Sequence, residues 1–291
     1  MFLRSSAKPF IASAVVASGA AERFGFDARE IAVASASHNG EPFHVLAVRR
    51  MLSKIGLDES ALRCGASPPA YEPAAEALLA EGKKPSAMYN NCSGKHAAIL
   101  AMCVHRGYDV ASYLEREHPA QREILEFCAR MCQDDASAWP VAVDGCGIPV
   151  FATPLRRAAL AFARLATLDG VSADDARALA MVRAAMAAEP AYVGGAGRFD
   201  SALIETTGGR IVCKGGAEGV HGDALTREGL GLAMKVLDGN RRATPPAVVA
   251  LLQSLSALEP SESERLAAYA EPDVRNVAGR IVGKLKAASP P

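Results

Sequence analysis

Residues 209–236 of this 291-residue chain carry three strand-like runs, and almost everything ahead of them has helical spacing. The runs Gly209–Lys214, Gly219–Leu225 and Gly229–Val236 are joined so closely that they can only pair antiparallel. A sheet made this late must be covered by helices laid down earlier. The pattern therefore predicts an α/β (α+β) protein, an antiparallel sheet flanked by helices. Helical spacing covers Pro9 to about Gly19, Pro42–Ile55, Ala70 to about Glu81, Ala97–Arg106, Ser112–Glu117, Ala120–Cys132, Leu155–Ala166, Ala173–Ala187 and Ala247–Leu258. Glu30–Ala34 reads as a short strand or helix, Val141–Val143 as a buried strand, and Val274–Leu285 as a final apolar segment. With no repeat and no long linker, residues 1–291 read as one domain, with a helix-rich middle (about 60–190) and a strand-rich part (about 191–291).

Half the residues are hydrophobic and the formal net charge is zero, so nothing points to a nucleic acid or an anionic membrane. No apolar run reaches transmembrane length. Phe10–Ala17 resembles the apolar core of a signal peptide, but Pro9 and Glu22-Arg23 bound it as a short helix. Seven cysteines without a regular framework suggest reduced thiols and a cytoplasmic protein.

Chemistry concentrates in a few stretches. Ser5 precedes Lys8 by three residues, which puts both on one helix face. A hydroxyl beside a desolvated, neutral amine is a nucleophile with its own base. Lys214 lies in an apolar strand run and is followed by Gly215-Gly216. Burying an ammonium is costly without a partner, so Lys214 is either functional or an edge-strand lysine. Cys92 and Cys146, on glycine-bearing turns, could share a Zn²⁺ with Lys95 or His96, or could be two small buried thiols. Ser35–Gly40 is a turn rich in hydroxyls with one imidazole, and equally a helix cap before Pro42. Gly194-Gly195-Ala196-Gly197 lacks a dinucleotide-binding pattern. His44, His105 and His118, with Cys64, Cys103, Cys128 and Cys132, read as ordinary structural residues.

The S-x-x-K and Lys-Gly-Gly pair resembles the framing motifs of penicillin-binding enzymes and serine β-lactamases. Six stretches in order resemble the rhizobial-type L-asparaginase II family: Phe2–Phe10, Ala34–Pro42, Tyr89–His96, Asp144–Pro149, Gly197–Asp200 and Lys214–Gly219. The resemblance implies a serine β-lactamase-like fold, a homodimer, and hydrolysis of L-asparagine to L-aspartate and ammonia. It implies two Ser–Lys pairs, Ser5 with Lys8 and Ser37 with Lys214. It also implies a zinc held by Cys92, Lys95 and Cys146, with Asp144 holding substrate through the metal-bound water. Arg4, His38 and Asn39 fall among the implied substrate contacts. Family members carry strands ahead of the first motif, whereas here Met1 lies three residues from Arg4. The expectation is a late-assigned start or a truncation.

Ser5 is expected to attack the side-chain amide while neutral Lys8 takes its proton, with Lys214 depressing the Lys8 pKa by like-charge repulsion. Ser37 is expected to relay the proton to departing ammonia, and the two serines could exchange roles. The competing expectations are a β-lactam or D-Ala-D-Ala peptide hydrolase on the same fold, and an inactive zinc-binding relic.

Overall fold

The computed structural model describes residues 1–288, so the last three residues of the expected domain lie outside the described residues. Two short strands, β1 (Val141–Val143) and β2 (Pro149–Phe151), pair antiparallel. The three late runs form one antiparallel sheet of β3 (Ile211–Gly216), β4 (Val220–Leu225) and β5 (Leu230–Lys235), in the order β3-β4-β5. Lys214 stands opposite Gly222, and Gly222 opposite Ala233. Every residue of the central strand β4 is buried. A half-exposed strand would alternate; one covered on both faces does not. The helix Leu155–Thr167 lies across β4 and β5. It fits only because Gly222 has no side chain: a Cβ there would sit 1.9 Å from the ring of Phe162.

The helix Lys8–Ala17 is the hub. Residues 8–15 are all buried, as expected of a helix apolar on nearly every face. It packs against the helices Ser93–Arg106, Pro119–Cys132 and Ala173–Ala188. Phe10 meets Phe162 edge-on, with centroids 5.1 Å apart. The segment leading into this helix lies beside the end of β2: Leu3 donates its N–H to the Phe151 carbonyl at 2.9 Å.

Of the two readings of Glu30–Ala34 the helix holds, as Ala28–Ala34, because Asp27 and Glu30 form a reciprocal capping box. Several other local expectations need correction. The helix after Cys92 begins at Ser93 rather than Ala97, so Lys95 and His96 lie in its first turn. Ser112–Glu117 is not helical; the Asp109 carboxylate accepts from the N–H groups of Ala111 and Ser112 and holds turns instead. Strand β1 is not buried, and Val143 is 76% exposed. The final apolar segment is a hairpin, β6 (Asp273–Arg275) with β7 (Ile281–Lys284), that leaves Val277, Ile281 and Val282 exposed. Among the described residues no helix is long and apolar enough to cross a membrane.

Two buried imidazoles stack beside the hub. His38 and His44 lie 4.9 Å apart, nearly parallel. His38 accepts the Gly40 N–H at Nδ1, so Nε2 carries the proton it shares with the Ser93 hydroxyl at 2.9 Å. His44 donates Nε2–H to the Ala191 carbonyl at 3.0 Å. Burial holds His38 well below the ordinary imidazole range and brings His44 down to about 4. Both are therefore neutral when folded, while the unfolded chain binds protons below about pH 6.5. Stability should fall as pH drops below about 6.5, with the His44 part of the loss complete near pH 4 and the His38 part continuing below it.

Two outcomes follow for urea unfolding. Gly222→Ala should cost about 1–3 kcal/mol by overpacking against Phe162, seen as a lower midpoint at unchanged slope. His44→Gln should lose less stability than the parent between pH 7 and pH 4.5, by about 2 kcal/mol; equal losses would remove His44 from the acid response.

Candidate active site

A cavity of about 280 Å³ opens where the start of the hub helix, the β1–β2 turn, the Asn90–Cys92 loop and the end of β3 converge. Its walls include Arg4, Ser5, Ser37, Cys92, Asp144 and Cys146, which the sequence had singled out. Asn90, Asn91, Arg198, Gly215, Gly216 and Arg241 also line it.

Ser5 sits in a tight 3₁₀ turn, Arg4–Ala7, that runs directly into the hub helix. Arg4 is left-handed, with φ +49°. Its guanidinium donates to Asp144 at 2.8 Å and to Glu218, a second left-handed residue at φ +62°. Left-handed backbone costs a non-glycine residue of order 1–3 kcal/mol, and the ion pairs bind both strained residues to the cavity rim. Gly216 lies beneath this turn, where a Cβ would stand 3.2 Å from the Ser6 nitrogen and 3.3 Å from the Ser5 nitrogen. That approach explains the glycine after Lys214-Gly215.

Lys8 is fully buried below the cavity wall. Its ammonium donates to the Ala36 carbonyl at 2.5 Å, the Ser37 hydroxyl at 3.0 Å and the Asn91 carbonyl at 3.3 Å. Burial pushes its pKa down to about 8; Cys92 opposes this, and the charges of Lys95 and Lys214 assist it.

Lys214, on β3, is also fully buried. It donates to Asp200 at 2.6 Å and to the Gly215 carbonyl at 2.7 Å. The Gly215 N–H completes the Asp200 site at 3.0 Å. Burial would raise the Asp200 pKa, but Lys214 and His221 hold it well below the usual carboxylate range. Behind them His221 bonds Asp223 at 2.9 Å. Asp200, Cys213 and His221 bring potential ligand atoms within 4.8 Å of one another. The Lys214 ammonium and the partner carboxylate already occupy Asp200 and His221, so the cluster reads as an ion chain.

The third group lies at the other end. Cys92 caps the helix that carries Lys95, and Cys146 sits between β1 and β2. Lys95 donates to the Cys146 sulfur at 3.0 Å, and the Cys92 thiol lies 3.0 Å from Asn91 Oδ1. Contact with Cys146 leads in holding Cys92 far below the thiol range, and the same contact pushes Cys146 up. Asp144 is held low by Lys95 and Arg4 against the effect of burial. By contrast Cys64, Cys103 and Cys132 are pushed up to about 12, inert buried thiols as expected.

The expected pairings are not the hydrogen bonds found. Among the described residues Ser37 bonds Lys8, not Lys214, and Lys214 is committed to Asp200; the Ser5 hydroxyl lines the cavity without a side-chain partner. The cause is direction: Lys8 extends from the hub helix towards the 36–37 segment, while Lys214 extends from β3 towards the helix Phe199–Thr206. His38 and Asn39, expected at the substrate, do not line the cavity. His38 turns inward to Ser93, and Asn39 donates to the Ala196 carbonyl at 3.2 Å. Arg198, Asn91 and Asp200 were missed as site residues; the only sequence signal was their place within the Gly197–Asp200 and Tyr89–His96 stretches.

A larger cleft of about 1110 Å³ lies among the helices Lys8–Ala17, Pro119–Cys132 and Leu155–Thr167. It contains none of these groups, and its Arg130 is paired with Asp175. A search of curated proteins found no match. A family model described as L-asparaginase II matches residues 1–287, and the chain therefore belongs to the L-asparaginase II family.

Proposed function

We propose that this L-asparaginase hydrolyses the side-chain amide of L-asparagine through an acyl-enzyme on Ser5, with Lys8 as base and Ser37 as proton relay. The supporting observation is the 3.0 Å bond between the buried Lys8 amine and the Ser37 hydroxyl, beside a cavity that Ser5 also lines. An amide is a poor electrophile, and its nitrogen must be protonated to leave. In the proposed sequence Ser5 Oγ bonds the amide carbon and its proton passes to neutral Lys8. The C–N bond breaks as Lys8 returns that proton through Ser37 to the nitrogen, releasing ammonia. Water then cleaves the ester to aspartate and restores the serine. Lys214, fixed by Asp200, contributes a nearby positive charge that favours neutral Lys8. The reading includes a serine β-lactamase-like fold and a homodimer.

Cys92, Lys95 and Cys146 would hold a Zn²⁺. The donor set fits: two sulfurs, one strongly acidified, meet an amine in contact with one of them. Bound there, the metal would supply a Lewis-acidic centre that orients substrate, and its arrival would displace the proton that Lys95 now carries.

Ser5→Ala and Lys8→Ala should each lower kcat by about 100-fold or more, and the double variant should be little worse, because the two act as a unit. Mass spectrometry of quenched turnover should find the aspartyl adduct on Ser5; an adduct on Ser37 would exchange the two serines. Elemental analysis should find one zinc per chain, lost in Cys92→Ser and in Cys146→Ser, and full retention in both variants would end the zinc proposal.

A further inference from the structure

Each lysine at this site, and Arg4, already has a partner. Arg4 is bound to Asp144 and Glu218, Lys8 to three oxygens, Lys95 to Cys146 and Lys214 to Asp200. Arg198 differs. Its side chain lines the cavity and is largely withdrawn from solvent, yet among the described residues its guanidinium makes no hydrogen bond and no carboxylate lies within 4.0 Å. The neighbouring Asp200 does not reach it: that carboxylate is held through Oδ2 by Lys214 and the Gly215 N–H. Burial lowers the Arg198 pKa, and the nearby charge of Asp200 only opposes this without making contact. Arg241, also at the cavity, is exposed and keeps its hydration.

A half-buried guanidinium without a partner is an unfavourable arrangement that a planar anion relieves, because its fork matches a carboxylate bidentately. Among the described residues the cavity lining has one carboxylate, Asp144, already paired with Arg4. Its volume suits a small ligand. We infer that Arg198 is the anchor for the α-carboxylate of the substrate amino acid, so that the enzyme selects free asparagine over amides lacking that group. The inference rests on the asparaginase reading above.

The test compares L-asparagine with 3-aminopropanamide, the same amide and amine without the α-carboxylate. In Arg198→Gln the preference in kcat/KM for asparagine should shrink by roughly 10- to 100-fold, mostly through KM. Arg198→Lys should recover part of it. The melting temperature of Arg198→Gln should equal or exceed that of the parent, because no native contact is broken. Calorimetric titration with L-aspartate should show a similar loss of affinity. An unchanged preference in a parent enzyme that does hydrolyse asparagine would overturn the anchor alone. A parent that releases no ammonia from asparagine would overturn the asparaginase reading; L-aspartate binding that is absent, or equal in parent and variant, would then overturn the anchor as well.

Discussion

Three lysine amines are buried around one small cavity, and each must find acceptors or the fold fails. Burying an unpaired ammonium costs several kcal/mol, a large part of the stability of an ordinary domain. Lys8 meets the requirement by tying the hub helix to the 36–37 segment and to the Asn91 loop. Lys95 ties the next helix to the β1–β2 turn. Lys214 ties β3 to the helix Phe199–Thr206. The same bonds that satisfy these cations bring distant segments of chain together, so the cavity is where the elements are joined and not a gap between them.

Much of this was legible. The three late strands were visible because glycine-bearing turns separate short apolar runs, and the long helices because their apolar positions recur with helical spacing. Cys92, Cys146, Asp144, Arg4, Ser5 and Ser37 were chosen from sequence and all line one cavity. The partners were not legible. Which oxygen a long lysine side chain reaches depends on how helices pack, and sequence separation carries no such information. His38 and Asn39 show the same limit at short range. The N–H groups of Ser37 and Asn39 bond the carbonyls of Val193 and Gly194, so this segment runs extended and its side chains point different ways. Ser37 faces the cavity, while His38 enters the core against Ser93 and His44.

Charge is arranged in two tiers. The deeper tier is closed: Lys214 pairs with Asp200, and His221 lies between the carboxylates of Asp200 and Asp223, which raise its pKa against burial. The tier at the cavity is open, because among the described residues the Arg198 guanidinium makes no hydrogen bond and Cys92 is held far below the thiol range while Cys146 is pushed above it. A closed inner tier fixes the electrostatic background, and an open outer one leaves interactions to be completed by whatever enters. The Arg4–Glu218 pair at the rim joins two backbone positions that are each unfavourable alone.

Two of the three acceptors that hold Lys8 are peptide carbonyls, those of Ala36 and Asn91. No exchange of side chain at 36 or 91 can delete a carbonyl. What limits those positions lies elsewhere: Ala36 is packed in the core and Asn91 Oδ1 meets Cys92, while the hold on the amine depends only on the local backbone path. A survey that replaces side chains one at a time would register Ser37 and pass over two of the three groups that hold Lys8.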